Sequence, residues 1–97
     1  MYSKLVRDII PEIMRQEGKN PQFHTADEKE YREKLMEKLQ EECDEFKASQ
    51  KLEELADILE VVYALAAVQG CNVGQLEMMR KQKAAKRGGF KKKLILK

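Results

Sequence analysis

Two pairs of carboxylates at helical spacing constrain this chain more than any other feature. Glu42 and Glu45 form a Glu-x-x-Glu, and Glu54 and Asp57 form a Glu-x-x-Asp. Each pair lies in or at the start of a segment whose apolar residues recur with helical period. Residues three apart are neighbours on one helical face, so each pair can present two oxygen-bearing groups to one point. The connection between the two segments, Ser49-Gln50, is short, which makes the helices antiparallel neighbours. Four carboxylates then converge. They cannot share a desolvated site unless a cation or protons neutralise them. Ligands that are all oxygen favour Mg²⁺ or Mn²⁺ over Zn²⁺. The competing reading is ordinary solvated helix charge, because 37% of the residues are charged.

Helical phase sharpens the choice. With about 100° per residue and Leu39 as reference, Tyr31, Leu35, Met36, Cys43 and Phe46 form one stripe. Glu42 falls inside that stripe, between Tyr31 and Leu35, with Glu45 at its edge. Glu37, Glu41 and Asp44 are expected to point to water. The next segment, Leu55 to Val68, is apolar nearly all round, as in a helix covered on more than one side. Glu54 and Asp57 share the side that continues as Val61, Ala64 and Val68. They too are expected to face protein.

The boundaries follow from local chemistry. Asp8 can cap a short first helix that has Ile9, Ile10 and Pro11 in its first turn, where a missing amide is tolerated. Gly18 ends it. Thr25-Ala26-Asp27-Glu28 matches a capping box for a second helix running to about Ala48. Ser49 can cap the third helix and Gly70 end it. Asn72, with Gln75 three residues later, can cap a fourth that stops at Gly88-Gly89. Leu94-Ile95-Leu96 reads as a short strand that would pair with the extended segment around Phe23, since a strand needs a partner. The expected fold is therefore a single all-α domain over 1–97, an antiparallel bundle of about four helices with this optional C-terminal strand.

Composition narrows the classes. A chain of 97 residues buries only a small core, which favours a homo-oligomer. No apolar run is long enough to span a bilayer. Lys4, Arg7 and Asp8 interrupt the apolar opening, which does not read as a secretory signal. Cys43 and Cys71 lack metal-ligand spacing and read as reduced thiols in a cytoplasmic protein. Net charge is only +2, yet acids concentrate between Asp27 and Glu60. The stretch from Arg80 to Lys97 holds nine Lys and Arg and no acid. That asymmetry fits a nucleic-acid patch. It equally fits an acidic half that holds metal and a basic half that holds the anion bound to it. Lys83, Lys86 and Arg87 either complement a helix C-terminus or contact phosphate, with Gly88-Gly89 allowing close approach. Lys91 to Lys93 reads as a solvated guard, and His24 as a satisfied or exposed histidine.

Glu41-Glu42-Cys43-Asp44-Glu45 followed by Glu54-Leu55-Ala56-Asp57 resembles the Glu-Glu-x-x-Glu and Glu-x-x-Asp pattern of the all-α nucleoside triphosphate pyrophosphatase superfamily. That group includes MazG-type enzymes, dimeric dUTPases and phosphoribosyl-ATP pyrophosphohydrolase. Lys4-Leu5-Val6-Arg7-Asp8 with Ile10-Pro11, and Arg87-Gly88-Gly89-Phe90, are similar to the opening and ending of a small phosphoribosyl-ATP-pyrophosphohydrolase-like branch. The resemblance covers nearly the whole chain. It implies a helical homodimer or homotetramer. It also implies Mg²⁺-dependent cleavage of a nucleotide between its α- and β-phosphates. It carries metal ligation to Glu42, Glu45, Glu54 and Asp57, with Glu42 or Glu45 handling the attacking water. It carries substrate contacts to Lys83 and Arg87, and we extend these to Lys4 and Arg7. The alternative is a non-catalytic helical oligomer that binds nucleotide or nucleic acid through its basic C-terminal part. Membrane association is not expected, and nucleic acid is the less favoured partner.

Overall fold

A computed structural model describes residues 3–97 of the chain. It is all-α, a helical bundle of α1 (Ile10–Gln16), α2 (Glu28–Ser49), α3 (Leu52–Val68) and α4 (Val73–Arg87). The long helices α2 and α3 form a hairpin and pack along each other, while α4 touches α3 only. The axes of α3 and α4 turn by 105° at their junction. No single helix among the described residues is long and apolar enough to cross a membrane.

The helix ends follow the sequence at some places and depart from it at others. α4 opens with the expected capping box: the Asn72 side chain accepts from the Gln75 amide at 2.8 Å, and the Gln75 side chain accepts from the Asn72 amide at 2.9 Å. The end of α1 is also as expected. Gly18 adopts φ +82, and the Lys19 amide reaches back to the Met14 carbonyl at 2.9 Å. This wrap-around closure satisfies the last carbonyls and suits glycine's left-handed backbone.

Three expected caps are displaced. Asp8 does not cap α1, whose N-cap is Ile9 without a side-chain bond. The cap of α2 is Asp27, not Thr25, and its carboxylate accepts from the Glu30 amide at 2.9 Å. A carboxylate satisfies that amide and also meets the positive end of the helix dipole. Ser49 belongs to the last turn of α2 instead of opening α3. Gln50 turns the chain with φ 57, and its amide donates to the Phe46 carbonyl at 2.7 Å. Lys51 then stands at the N-cap of α3 without a side-chain bond.

The C-terminal strand does not form. Leu94, Ile95 and Leu96 are exposed, and no described residue is in a strand, including those around Phe23. Without a paired partner, three apolar residues gain no ladder hydrogen bonds.

Little of the chain is buried. Leu35 is 2% exposed and Val61 7%, and these are the buried apolar residues among those described. Accessible surface is 8870 Å², against roughly 5,700 Å² for a compact monomer of this mass. The radius of gyration is 17.0 Å, against about 12.5 Å for a compact domain of this length. Met36, expected in the inward stripe of α2, is exposed, as are Leu55 and Leu59 on the apolar helix α3. The hairpin covers one side of α3 and α4 touches part of another, while Leu55 and Leu59 stay exposed.

Candidate metal centre

The acidic centre lies where α2 and α3 face each other. Glu42 is only 7% exposed, the one buried charged residue among those described. It joins two acidic groups. In one, carboxylate oxygens of Glu42, Glu54 and Asp57 all lie within 4.8 Å of one another. In the other, Glu41, Glu42 and Glu45 do the same. The four expected ligands therefore do not meet at one point. Glu45 sits on the outer side of Glu42 with Glu41, while Glu54 and Asp57 approach Glu42 from α3. Two successive turns of one helix supply the outer group, and the packing of the hairpin supplies the inner one.

Glu42 is poorly compensated. Its Oε1 lies 3.4 Å from Lys38 Nζ, one helical turn earlier. Its Oε2 is buried and accepts no hydrogen bond. A buried acceptor left in this way costs about 1–3 kcal/mol, and such an atom marks strain, function or an ion. The carboxyl holds its proton more tightly than an ordinary glutamate. Burial is the first cause and the neighbouring Glu45 carboxyl the second, with Lys38 opposing both.

Glu41 is not directed to bulk water as its phase suggested. It is half-buried and held between two lysines, with Lys4 Nζ at 3.1 Å and Lys38 Nζ at 3.4 Å. Burial pushes its pKa up, but these two ammonium groups outweigh burial and leave it lowered.

The opening segment lies across both helices of the centre. Lys34 Nζ donates to the Ser3 carbonyl at 3.0 Å, Lys4 pairs with Glu41 on α2, and Arg7 pairs with Asp57 on α3 at 2.8 Å. Beneath it runs a cavity of about 540 Å³. Leu5, Val6, Ile9 and Ile13 form one wall, Tyr31 and Leu35 of α2 another, and Val61 and Ala64 of α3 the third. Glu42 and Asp57 line the same cavity, so it opens directly onto the acidic centre.

Of the cationic residues singled out in the sequence, Lys4 and Arg7 are thus brought to the centre. Lys83 and Arg87 are not. Both are exposed on α4, and neither lines the cavity. Sequence reasoning missed Lys38, whose signal was its position four residues before Glu42. It treated Tyr31 as a core residue, although Tyr31 and Glu42 share a stripe.

No protein-family model, curated protein or solved structure matches this chain.

The donor set fits a hard divalent cation. It is all carboxylate oxygen, and it includes one buried oxygen without a partner that a cation would satisfy. Glu42, Glu54 and Asp57 are the residues that would hold it.

Proposed function

We propose that this protein is a Mg²⁺-dependent nucleotide pyrophosphohydrolase that cleaves between the α- and β-phosphates and releases a monophosphate and pyrophosphate. The observation that carries this reading is Glu42 Oε2, a buried carboxylate oxygen without a hydrogen-bond donor at the meeting point of two acidic groups. The likeness of the acidic pattern and of both flanking motifs to the pyrophosphatase superfamily supports it.

Bound Mg²⁺ would offset the charge of the phosphate oxygens as it develops. Mn²⁺ suits the same oxygen ligands. The chain's own residues divide the remaining work. Glu42, Glu54 and Asp57 bind the ion. Glu45, exposed beside Glu42, is placed to orient or deprotonate the attacking water, a role Glu42 can share. Arg7 and Lys4, now paired with Asp57 and Glu41, supply positive charge to the phosphate chain once those carboxylates are engaged elsewhere.

The working form is a homodimer or homotetramer. Its support is the roughly 3,000 Å² of surface beyond that of a compact monomer, with Leu55 and Leu59 of α3 and Met78 and Met79 of α4 among the exposed apolar residues. In such an assembly Lys83 and Arg87 act on a centre in a second protomer.

The test is a panel of nucleoside triphosphates assayed for pyrophosphate with and without Mg²⁺. Release that requires the divalent cation upholds the reading. Binding without release, weakening steeply with salt and indifferent to Mg²⁺ at fixed ionic strength, would replace it with a basic nucleic-acid binder.

A further inference from the structure

The acidic centre accounts for one rim of the cavity and leaves the rest unexplained. A phosphate chain and a cation have no use for walls made of Leu5, Val6, Ile9 and Ile13. Yet Val6, Ile9 and Ile13 are exposed around a space of about 540 Å³, well within the range of small-molecule sites. Tyr31 is the one aromatic side chain among the lining residues, and it is half-buried. The cationic groups at the rim face the acidic centre, Arg7 pairing with Asp57 and Lys38 with Glu41 and Glu42. Asp8 and Glu60 add two carboxylates to the lining, and the remainder is aliphatic surface and one ring face.

We propose that this cavity holds the heterocyclic base of a nucleotide against Tyr31 while its phosphates reach the acidic centre, with the opening segment as its outer wall. The proposal rests on reading that centre as a metal and phosphate site. The occupant must be anionic at one end, to meet a cation held by Glu42 and Asp57, and flat, with a face that stacks on a ring, at the other. A nucleotide has both ends in one molecule. A base stacked on an aromatic ring is bound by its π-face, which every base has. The ring face therefore selects for the presence of a base more than between bases. Tyr31 is a specificity residue for the nucleoside end and takes no part in bond cleavage.

The test uses the whole chain and three separate bindings. Mn²⁺ alone is followed by electron paramagnetic resonance. Tripolyphosphate, and the α,β-methylene analogues of the common ribo- and deoxyribonucleoside triphosphates, are followed by calorimetry in the presence of Mn²⁺. The best analogue is expected to bind at least about tenfold more tightly than tripolyphosphate, the scale of stacking one base. Tyr31→Leu should remove that preference and Tyr31→Phe keep it, both leaving Mn²⁺ and tripolyphosphate binding within about twofold. If circular dichroism finds Tyr31→Leu unfolded, Ala64→Leu, which fills the cavity from α3, takes its place with the same expectation. A wild-type protein that does not prefer nucleotide over tripolyphosphate overturns the proposal. So does an equal loss of both ligands, or a change in mass by light scattering in the variant, which would make the cavity a contact between subunits. Failure of wild-type protein to bind Mn²⁺ sinks the metal centre instead. In that case, metal-free nucleotide binding that Tyr31→Leu abolishes still upholds the cavity, and its absence overturns both.

Discussion

The acidic end of the α2–α3 hairpin and the basic stretch from Arg80 to Lys97 are both dense in charge, but they are built differently. In the hairpin, a glutamate is buried, its neighbours converge on it from two helices, and Lys4, Arg7 and Lys38 are tied to specific carboxylates. In the basic stretch nearly every charge is exposed, and the described ion pair is the local one between Arg80 and Glu77 on the same helix. Charge density is similar; desolvation is not. A carboxylate taken out of water needs a partner, whereas a solvated lysine needs none. Function is therefore easier to read at the acidic end, where the protein tolerates an unfavourable arrangement.

The largest expected effect tests the buried member of that contrast against its neighbour. Glu42→Gln should lower pyrophosphate release by at least about a hundredfold, the scale of losing a group that acts on the reacting charge. Glu41→Gln should stay within about threefold, because its ion pairs are those of a partly exposed side chain. The same Glu42→Gln change should raise the thermal stability of the metal-free protein and remove its further rise on adding Mg²⁺, since only a ligand of the native state stabilises it. Equal losses of turnover in the two variants would erase the distinction between inner and outer carboxylates.

The next effect probes the basic end. Arg87→Ala should reduce kcat/KM by about tenfold, the scale of one charge-assisted contact of ~1.5 kcal/mol, and should leave Mn²⁺ binding unchanged. Arg87 lies off the cavity of its own protomer, and in the proposed assembly the contact comes from a second copy. Light scattering should accordingly give a mass at least twice the 11.3 kDa of one chain. Lys92→Ala should change kcat/KM by less than about twofold, as for an exposed charge. A monomer in which Lys92→Ala is the damaging change would move the phosphate contacts to the C-terminal segment.

The smallest effect is a pH dependence of stability in the absence of metal. The raised pKa of Glu42 means that the folded state holds this proton more tightly than the unfolded chain. Its contribution is therefore fully present at pH below the ordinary glutamate range and is lost as pH rises through the folded value. Glu41 has the opposite sign: its lowered pKa contributes stability above the ordinary range, lost as pH falls through the folded value. Thermal melts of wild type and Glu42→Gln from acid to neutral pH should diverge as pH rises, with the wild type falling relative to the variant. Parallel curves would mean that Glu42 ionises without penalty, and the two ends of the molecule would then differ only in sign of charge.

Much of the local structure was legible in the sequence. The Asn72–Gln75 capping box, the Gly18 and Gly88 helix ends and the existence of four helices rest on contacts within a few residues. So does the inward turn of Glu42, since helical phase alone sets it inside the stripe of Tyr31 and Leu35. The shift of the α2 cap from Thr25 to Asp27 was not legible, because both residues are acceptable caps and the choice depends on where the chain before them runs.

What only the tertiary structure decided involves residues far apart in the chain. Periodicity puts Glu42 and Glu45 on one face, but the packing of α3 selects Glu42, and not Glu45, to join Glu54 and Asp57. Nothing within the Lys4–Asp8 motif says what it touches. Its pairing with Glu41 and Asp57, and the cavity it encloses with Tyr31, arise because the segment is laid across two helices by contacts 37 and 50 residues apart in sequence. Phase is a property of one helix and is written in its residues. Convergence is a property of how helices meet, and it appears only when they are packed.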